Sequence, residues 1–226
     1  MVEKREAEKI LRKMLRHGAS FRPDQWEAID AIVNEHRKVL LVQKTGWGKS
    51  IVYFLSAYFL RKQSKGLVML ISPLLSLMRN QIDMAKKIGV KAETVNSTNQ
   101  REWQEIIKRI ENGEVDILLV SPERLANKGF QEKMIGLNIG LLAVDEVHCI
   151  SDWGHDFRPD YRRIVRIVSN LPKGAPLLGT TATANDRVVK DIQEQFGRDI
   201  LTIRGPLKRD SLKLQAIALS DQSERL

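Results

Sequence analysis

The stretch QKTGWGKS, residues 43–50, contains the residue types that bind phosphate groups. Gly46 and Gly48 permit a tight turn in which backbone N–H groups point inward, and a helix that begins after such a turn adds a favourable dipole. In the phosphate-binding pattern the lysine reaches the β- and γ-phosphates and the hydroxyl after it coordinates Mg²⁺. The candidate nucleotide-binding residues here are Lys44, Thr45, Gly46, Trp47, Gly48, Lys49 and Ser50.

A pair of carboxylates supports this interpretation. The phosphate-binding pattern has a glycine where this chain has Gln43, so a glycine turn before a core helix is an alternative. However, LLAVDE (141–146) places two acidic residues after four apolar ones, at the end of a predicted strand. Asp145 is expected to hold the Mg²⁺ that Ser50 contacts, and Glu146 to orient or deprotonate an attacking water. Solvated loop acids are the alternative, which the phosphate-binding pattern disfavours.

His148 lies close to this acidic pair in the sequence. A histidine in a loop is usually structural, but Thr181 and Thr183 follow another predicted strand and are candidates to hydrogen bond it. Such a bond would connect the acidic pair to the far edge of the sheet. His148, Cys149 and His155 are too irregularly spaced, with one cysteine among them, for a tetrahedral zinc site, and we expect none there.

Aromatic residues follow the acidic pair within a few positions. Trp153 and Phe157 are able to stack on unpaired bases, and Arg158 to pair with a phosphate or a nearby acid. The alternative is core packing, which we prefer for Tyr161. Because Ser151, Asp152 and Gly154 flank Trp153, we predict an exposed loop that senses nucleic acid and transmits its ordering to the acidic pair.

Upstream of the first predicted strand, the segment FRPDQ contains Arg22 and Gln25. A glutamine amide can form two hydrogen bonds with adenine, at N6 and N7. Gln25 is therefore a candidate to recognise the adenine base with support from Arg22, which is compatible with a helix beginning at this point.

The composition is that of an ordinary globular protein with a surplus of positive charge. The 226 residues carry a formal net charge of +9, which favours a polyanionic partner, nucleic acid before an acidic membrane, over a merely solvated basic surface. A single cysteine fits a reducing compartment. The charged amino end is not a secretory signal, and the longest apolar run (51–60) is too short to span a bilayer. We expect a cytoplasmic protein with no membrane partner.

Short apolar runs alternate with helical patterns along the chain, which predicts an α/β fold with a mostly parallel central sheet and helices on both faces. The predicted strands are 38–43, 67–72, 115–120, 141–144 and 176–180, with weaker candidates at 91–96 and 199–204. The predicted helices are 49–62, 74–88, 99–112, 159–170 and 185–196.

Three regions are expected along the chain. Residues 1–20 form an amphipathic helical extension, with an apolar face composed of Ile10, Leu11, Met14 and Leu15 and a stop near Gly18. Residues 21–205 form the main α/β domain, and 206–226 form a strand or linker that leads toward something longer.

Taken together, the ordered motifs resemble the RecQ family of superfamily 2 DNA helicases. The matching segments are FRPDQ, TGWGKS, SPLLSLMRNQ, SPERL, DEVHCISDWGHDFRPDY and TTATAN, spread over about residues 10–205. The motifs TGxGKS and DExH occur in many helicases, whereas CISDWGHDFRPDY is similar to the aromatic-rich loop that distinguishes RecQ enzymes.

The resemblance implies a RecA-like ATP-binding domain that couples hydrolysis of ATP, with Mg²⁺, to translocation on single-stranded DNA and unwinding of duplex DNA. It also implies that the equivalents of Lys49, Asp145 and Glu146 run hydrolysis and that the equivalent of Gln25 reads adenine; His148 is a further candidate catalytic residue. SPLLSLMRNQ and SPERL match segments that face DNA. The candidate DNA-binding or coupling residues are Arg79, Arg124, Trp153, His155, Phe157, Arg158, Thr181 and Thr183.

The chain also departs from the RecQ pattern. The family's aromatic pair near the adenine is replaced around Leu15, Arg16 and His17, and nothing matches the second RecA-like domain, its arginine finger or the zinc-binding region. We therefore expect the first motor domain only, with the second RecA-like domain as a partner. Two alternatives stay open: an RNA helicase or remodelling ATPase of the same superfamily, and a nucleotide-binding module without turnover.

Overall fold

The computed structural model describes residues 1–73, 82–95, 102–154 and 156–206. Within these residues the strands form one sheet in the order β3-β4-β2-β5-β6-β1-β7, and each pair of neighbours is parallel. The strands are β1 Lys38–Val42, β2 Leu67–Ile71, β3 Ala92–Val95, β4 Ile117–Val120, β5 Ile139–Val144, β6 Leu177–Thr181 and β7 Leu201–Arg204.

The central strands are buried on both faces, which is why they are continuous apolar runs in the sequence. In β1, Val39 and Leu41 pack into the core on one face of the sheet, whereas Leu40 and Val42 pack into the core on the other. Alternation of side chains along a strand produces this division. The predicted α/β class with a parallel sheet and helices is confirmed.

Helices cover the two faces of the sheet. The α-helices are α1 Lys4–Met14, α2 Gln25–Val33, α3 Lys49–Lys62, α4 Trp103–Glu111, α5 Lys128–Ile135, α6 Pro159–Arg162, α7 Ile164–Ser169 and α8 Asp186–Phe196. Residues 82–87 are also helical, and short 3₁₀ turns occur at Pro122–Ala126 and Val147–Ile150. Helices α1, α2 and α3 share one core, whereas α4, α5, α7 and α8 contribute to the other.

Helix α1 packs through Ala7, Ile10, Leu11 and Met14. The prediction that Leu15 shares this apolar face is wrong, because the helix ends at Met14 and Leu15 is 42% exposed. Gly18 has a left-handed φ of 84° but lies beyond the end of the helix.

Other differences concern helix boundaries. Helix α5 was not expected, since only Phe130 and Met134 give it an apolar repeat; its sequence signal is the Asn127 side chain, which accepts a hydrogen bond from the Phe130 N–H at 2.9 Å. The single helix predicted for 159–170 is two helices on either side of Arg163. Residues 74–81 of the helix predicted at 74–88, and residues 207–226 of the predicted linker, lie outside the described residues.

The topology brings three strand ends together at the carboxyl edge of the sheet. Strand β6 lies between β5 and β1, so its terminal residues Thr180 and Thr181 are flanked by the segment after β5 and the loop after β1. Open α/β sheets bind ligands at this edge.

Candidate active site

The phosphate loop, residues 43–50, connects β1 to α3. Gly46 and Gly48 have left-handed φ values of 79° and 99°, which side chains adopt at a cost. A Cβ atom on Gly48 would lie 2.8 Å from Gln25 Nε2, so a side chain there would displace the Gln25 amide as well as strain the backbone. Helix α3 begins at Lys49, directly after this turn, and its amino end completes the arrangement that attracts phosphate.

Gln43 replaces a glycine without disturbing the loop. Its backbone N–H donates to the Thr181 carbonyl at 3.0 Å, which extends the pairing of β1 with β6 by one residue. Its side-chain amide donates to Asp24 Oδ2 at 2.7 Å. Lys49 Nζ donates to the Gln43 carbonyl at 2.9 Å, so the lysine lies along the inside of the loop.

Gln25 and Arg22 hold the phosphate loop from the side of helix α2. The buried Gln25 amide donates to the Trp47 carbonyl at 3.2 Å, and its oxygen accepts from the Arg22 N–H at 2.9 Å. The Arg22 guanidinium donates to the Gly46 carbonyl. The two candidate adenine-binding residues therefore contact the loop, and recognition of adenine stays a prediction.

Asp145 lies buried at the end of β5, surrounded by hydroxyl groups. Thr180 Oγ1 donates to Asp145 Oδ1 at 2.6 Å, and Ser72 Oγ donates to Oδ2 at 3.4 Å. Burial raises the pKa of the Asp145 carboxyl, and the Thr180 hydrogen bond and the Lys49 charge oppose this rise. The Asp145 carbonyl accepts a hydrogen bond from the Tyr161 hydroxyl at 3.0 Å, and the core position expected for Tyr161 is confirmed.

Ser50 and Asp145 have the donor chemistry that Mg²⁺ requires. A hydroxyl at the amino end of α3 and a carboxylate at the end of β5 are hard oxygen ligands. The carboxylate is buried beside the acidic Glu146, and a divalent cation would offset both the desolvation and the repulsion. The residues present thus fit a magnesium ion.

Glu146 and His148 lie together after Asp145. Glu146 adopts a left-handed φ of 49°, and its Oε2 lies 3.3 Å from His148 Nδ1. The buried His148 ring also places Nδ1 2.9 Å from Thr181 Oγ1, so the predicted contact with Thr181 is confirmed. Thr183 contacts Thr181, whose hydroxyl donates to the Thr183 carbonyl at 3.1 Å.

The connection made by His148 does not run to the far edge of the sheet, and that expectation is wrong. Strand β6, which supplies Thr181, is the immediate neighbour of β5. The Glu146 carboxylate can only accept a hydrogen bond, so the contact between its Oε2 and His148 Nδ1 favours the tautomer with the ring proton on Nδ1, which also faces Thr181 Oγ1.

The aromatic loop, residues 151–158, begins directly after the 3₁₀ turn that contains His148. Trp153 is 64% exposed, as its polar neighbours predicted. Backbone hydrogen bonds connect the loop to the acidic segment, residues 145–150. The Ser151 N–H donates to the His148 carbonyl at 3.1 Å, and the Arg158 N–H donates to the Cys149 carbonyl at 3.0 Å.

Side chains of the aromatic loop pair with charged neighbours. The Arg158 guanidinium binds Asp156 at 2.9 Å, which is the nearby acid expected for it. The half-buried Phe157 ring lies 5.1 Å from the Arg162 guanidinium. Beside Trp153, a surface cleft of about 400 Å³ is lined by Trp153, Arg187, Lys190, Asp191 and Glu194. His155 lies outside the described residues.

Of the two arginines predicted to face DNA, Arg124 lies within the described residues and is packed inside the fold. Arg124 is only 8% exposed, and its guanidinium stacks 4.5 Å from the centre of the Trp103 ring. This stacking accommodates the positive charge of Arg124, the basic residue of SPERL, inside the fold. Arg79 belongs to the part of the chain that is not described.

A comparison with family models decides the family. The model of the DEAD/DEAH box helicases matches residues 22–192, which include the phosphate loop, the acidic pair and the aromatic loop. The chain belongs to the DEAD/DEAH box helicase family. No described helix of this DEAD/DEAH box protein has the length and apolar character needed to cross a membrane.

Curated relatives of this DEAD/DEAH box protein support the RecQ resemblance. It is 37% identical over 177 residues to ATP-dependent DNA helicase RecQ of Bacillus subtilis, covering 78% of this chain and 29% of that protein. It is 38% identical over 182 residues to ATP-dependent DNA helicase Q1 of Mus musculus, covering 77% of this chain and 27% of that protein. The chain spans about a third or less of the length of these relatives.

A solved structure confirms the RecA-like helicase fold. The crystal structure of a hypothetical ATP-dependent RNA helicase from Sulfolobus tokodaii matches with a TM-score of 0.66 and 20% sequence identity, covering 91% of this chain and 57% of that one. At this identity the likeness concerns the fold of the DEAD/DEAH box domain alone.

Several residues of the DEAD/DEAH box site were missed by reasoning from the sequence. Ser72 and Thr180 bind the Asp145 carboxylate, and the available signal was that each ends a predicted strand at the same sheet edge. Asp156 was not predicted as a site residue, because the aromatic residues around it give the stronger sequence signal. Its contacts with Arg158 and Cys149 depend on how the aromatic loop folds back.

Proposed function

We propose that this chain is the first motor domain of a RecQ-like DNA helicase, which binds ATP with Mg²⁺ and single-stranded DNA and couples hydrolysis to translocation and duplex unwinding. The main observation in support of this proposal is that the parts of the candidate site are physically connected. The phosphate loop, the buried Asp145, Glu146 and His148 lie at one sheet edge, and the aromatic loop is bonded directly to the His148 backbone.

Lys49 is the residue that meets the nucleotide's phosphates. Its ammonium donates to a neutral carbonyl within the phosphate loop, and a β- or γ-phosphate oxygen is a stronger, charged acceptor in the same region. Backbone N–H groups of the loop and the amino end of α3 add further donors. Mg²⁺, when bound by Ser50 and Asp145, neutralises phosphate charge.

Glu146 is the base or orienting group for the attacking water. Its carboxylate is partly exposed, so water reaches it, and His148 Nδ1 lies 3.3 Å from Oε2, which fixes its direction. Thr181 in turn fixes His148. A general base oriented by a second group, which is itself held in place, is the usual arrangement for activating a water molecule.

The aromatic loop contacts single-stranded DNA. The exposed Trp153 ring supplies a stacking surface, and Arg187 lies 5.7 Å from its centre, with Lys190 along the same cleft. An aromatic face beside basic side chains suits an unpaired base and its phosphate. The formal net charge of +9 favours the same polyanionic partner.

Binding of DNA at Trp153 is transmitted through the backbone. A Cβ atom on Gly154 would lie 2.5 Å from the His148 carbonyl, so the chain after Trp153 passes directly over the acidic segment. Ordering of the aromatic loop therefore acts on His148, and through it on Glu146. Such coupling requires a contiguous element with two arrangements, and this loop is that element.

Turnover is expected to depend on a second RecA-like domain. The RecQ resemblance implies an arginine finger from that domain, and a finger of this kind raises turnover by about 10³–10⁵. We therefore expect this chain alone to bind ATP but to hydrolyse it slowly, with no unwinding.

A binding and turnover experiment tests the proposal. Titration of the chain with a fluorescent ATP analogue should show Mg²⁺-dependent binding that Lys49→Ala weakens and Lys65→Ala, on the exposed surface, does not. In the two-domain enzyme, single-stranded DNA should stimulate hydrolysis more than single-stranded RNA of the same length. Absence of nucleotide binding would overturn the ATPase proposal, and equal or greater stimulation by RNA would favour the RNA helicase alternative.

A further inference from the structure

Three side chains with metal-binding atoms converge where the acidic segment meets the aromatic loop. Cys149 Sγ lies 3.7 Å from His148 Nε2 and 3.8 Å from Asp156 Oδ2, and the ligand atoms of all three residues lie within 4.8 Å of one another. This set differs from the one weighed in the sequence, because Asp156 joins it when the aromatic loop folds back.

Two of the three separations approach those of a zinc coordination shell, and the ligand atoms of His148 and Asp156 lie within 4.8 Å of each other. Zinc binds sulfur at about 2.3 Å and nitrogen or oxygen at about 2.0 Å, so a tetrahedral angle separates sulfur from either neighbour by about 3.5 Å. The observed separations of 3.7 and 3.8 Å exceed this by only a few tenths of an ångström. Adjustment of the Asp156 side chain, which is about half exposed, closes the difference and leaves an approach for the ion.

The orientation of His148 also suits a ligand. In the tautomer with its proton on Nδ1, facing Thr181 Oγ1 and Glu146 Oε2, the Nε2 lone pair is directed at the Cys149 side. Histidines that bind metals donate their other ring N–H to a carboxylate or hydroxyl in this way, which fixes both the tautomer and the ring direction.

We propose that His148 Nε2, Cys149 Sγ and an Asp156 carboxylate oxygen form a binding site for a thiophilic divalent cation of the zinc type, with water as the fourth ligand. On binding, the Cys149 thiol releases its proton to solvent and the thiolate bonds to the metal, while Asp156 exchanges Arg158 for the ion. The site is distinct from the magnesium ligands Ser50 and Asp145.

Protonation gives the site a defined pH dependence. Burial raises the pKa of the Cys149 thiol to about 12, so the metal displaces a proton at neutral pH and its affinity rises with pH. The hydrogen bond from Arg158 lowers the pKa of Asp156, so that ligand is already ionised. Among the described residues, Glu146 also raises the pKa of Cys149 and Arg158 lowers it, and the loss of Asp156 as a partner of Arg158 opposes metal binding.

Occupancy would join the aromatic loop to the acidic segment by metal bonds. This consequence rests on the proposed function: a loop fixed to His148 no longer passes between two arrangements, so the metal acts as a brake on DNA-stimulated hydrolysis. Metal binding itself does not depend on that function.

Cobalt spectroscopy tests the site, because Co²⁺ occupies zinc sites and its bond to a thiolate absorbs in the near ultraviolet. The chain has a single cysteine, so such a band reports on Cys149 alone. We expect a 1:1 band that Zn²⁺ abolishes by displacement, that strengthens between pH 6 and pH 8, and that Cys149→Ala removes.

Asp156→Asn should weaken Co²⁺ affinity by roughly tenfold or more, whereas Asp152→Asn, a carboxylate of the same loop paired with Arg162, should leave it unchanged. Thermal unfolding of each variant identifies any loss of fold, and Asp156→Asn tests the site if Cys149→Ala does not fold. Absence of the band, or equal affinity in Asp156→Asn and the unaltered chain, would overturn the proposal. Binding of a fluorescent ATP analogue, measured on the same samples, tests the proposed nucleotide site independently of the metal site.

Discussion

His148 Nδ1 lies 2.9 Å from the Thr181 hydroxyl, and this contact joins the segment after β5 to the end of β6. The two residues are separated by 33 positions in the sequence and become neighbours only because β5 and β6 pair in parallel. If Thr181 fixes the ring that orients Glu146, loss of either partner should affect the same step of the proposed reaction.

We first predict that Thr181→Val and His148→Ala retain nucleotide binding but reduce stimulation of hydrolysis by DNA in the two-domain enzyme. The loss of one hydrogen bond corresponds to about 1 kcal/mol, or roughly a fivefold effect. The measurement is the ratio of ATPase rates with and without single-stranded DNA. Thr181→Ser, which keeps the hydroxyl, is the matched control and should restore the ratio; failure of the serine variant to do so would show that packing rather than the hydrogen bond matters.

Lys49→Ala and Glu146→Gln should differ in kind. Removing the lysine takes a charged donor from the phosphates, and nucleotide affinity should fall roughly tenfold to a hundredfold. Glu146→Gln removes the base but leaves the phosphate loop intact, so affinity should change little while hydrolysis is lost in the two-domain enzyme. Equilibrium titration with a fluorescent nucleotide, alongside steady-state turnover, distinguishes the two. Equal losses of affinity in both variants would contradict the assigned roles.

Trp153→Ala should raise the concentration of single-stranded DNA needed for half-maximal stimulation. Stacking on one base contributes about 1–3 kcal/mol, so a shift of about tenfold is expected. Phe157→Ala should have a smaller effect, because that ring is half-buried and already contacts Arg162. Nucleotide affinity should be unchanged in both. Full stimulation in both variants at low DNA concentration would mean that the aromatic loop is only structural.

The ion pair between Lys38 and Asp199 at 3.1 Å gives a stability prediction with a defined sign. The hydrogen bond from Lys38 lowers the pKa of Asp199 below the ordinary carboxyl value, which is about 4. The pair therefore contributes its full stabilisation at pH values above about 4. This stabilisation is lost as the pH falls through the lowered pKa, where Asp199 becomes protonated. The Asp199 side chain is 71% exposed and that of Lys38 is 32% exposed, so solvent screens the pair and Lys38→Met should cost only about 0.5 kcal/mol at pH 7. Urea unfolding at pH 7 and pH 2.5 tests this, with Lys65→Met as a control; an effect that persists at pH 2.5 would show that the charge pair is not its source.

Much of this fold follows from the sequence because its strands are buried on both faces. Runs such as VLLV (39–42) in β1 and LLAV (141–144) in β5 are unbroken apolar segments, as expected for a parallel strand covered on both faces. Helix α5 was missed since it buries a short face containing the polar Gln131, too little to produce a helical repeat. The N-terminal helix was predicted, but its stop was expected near Gly18, whereas the helix ends at Met14 and leaves Leu15 exposed.

The parts of the candidate site that lie within one short stretch of sequence were predictable. The phosphate loop and the acidic pair each lie within a few consecutive residues, so spacing alone identifies them. The environment of Asp145 was not predictable, because Ser72, Thr180 and Tyr161 come from three other elements. The same reason hid Asp156, whose position depends on a backbone turn around Gly154 rather than on any residue pattern.

Gln25 already donates hydrogen bonds to the phosphate loop. Nucleotide affinity therefore reflects the contacts that adenine gains minus the contacts that Gln25 loses. An adenine that engages the Gln25 amide must replace its bonds to the loop, whereas inorganic triphosphate leaves them in place. The base therefore contributes less to affinity than its own contacts would suggest, and the ratio of ATP to triphosphate affinity measures the net exchange. A substitution that weakens the hold of helix α2 on the loop can consequently change the discrimination between nucleotides without touching any atom that binds phosphate.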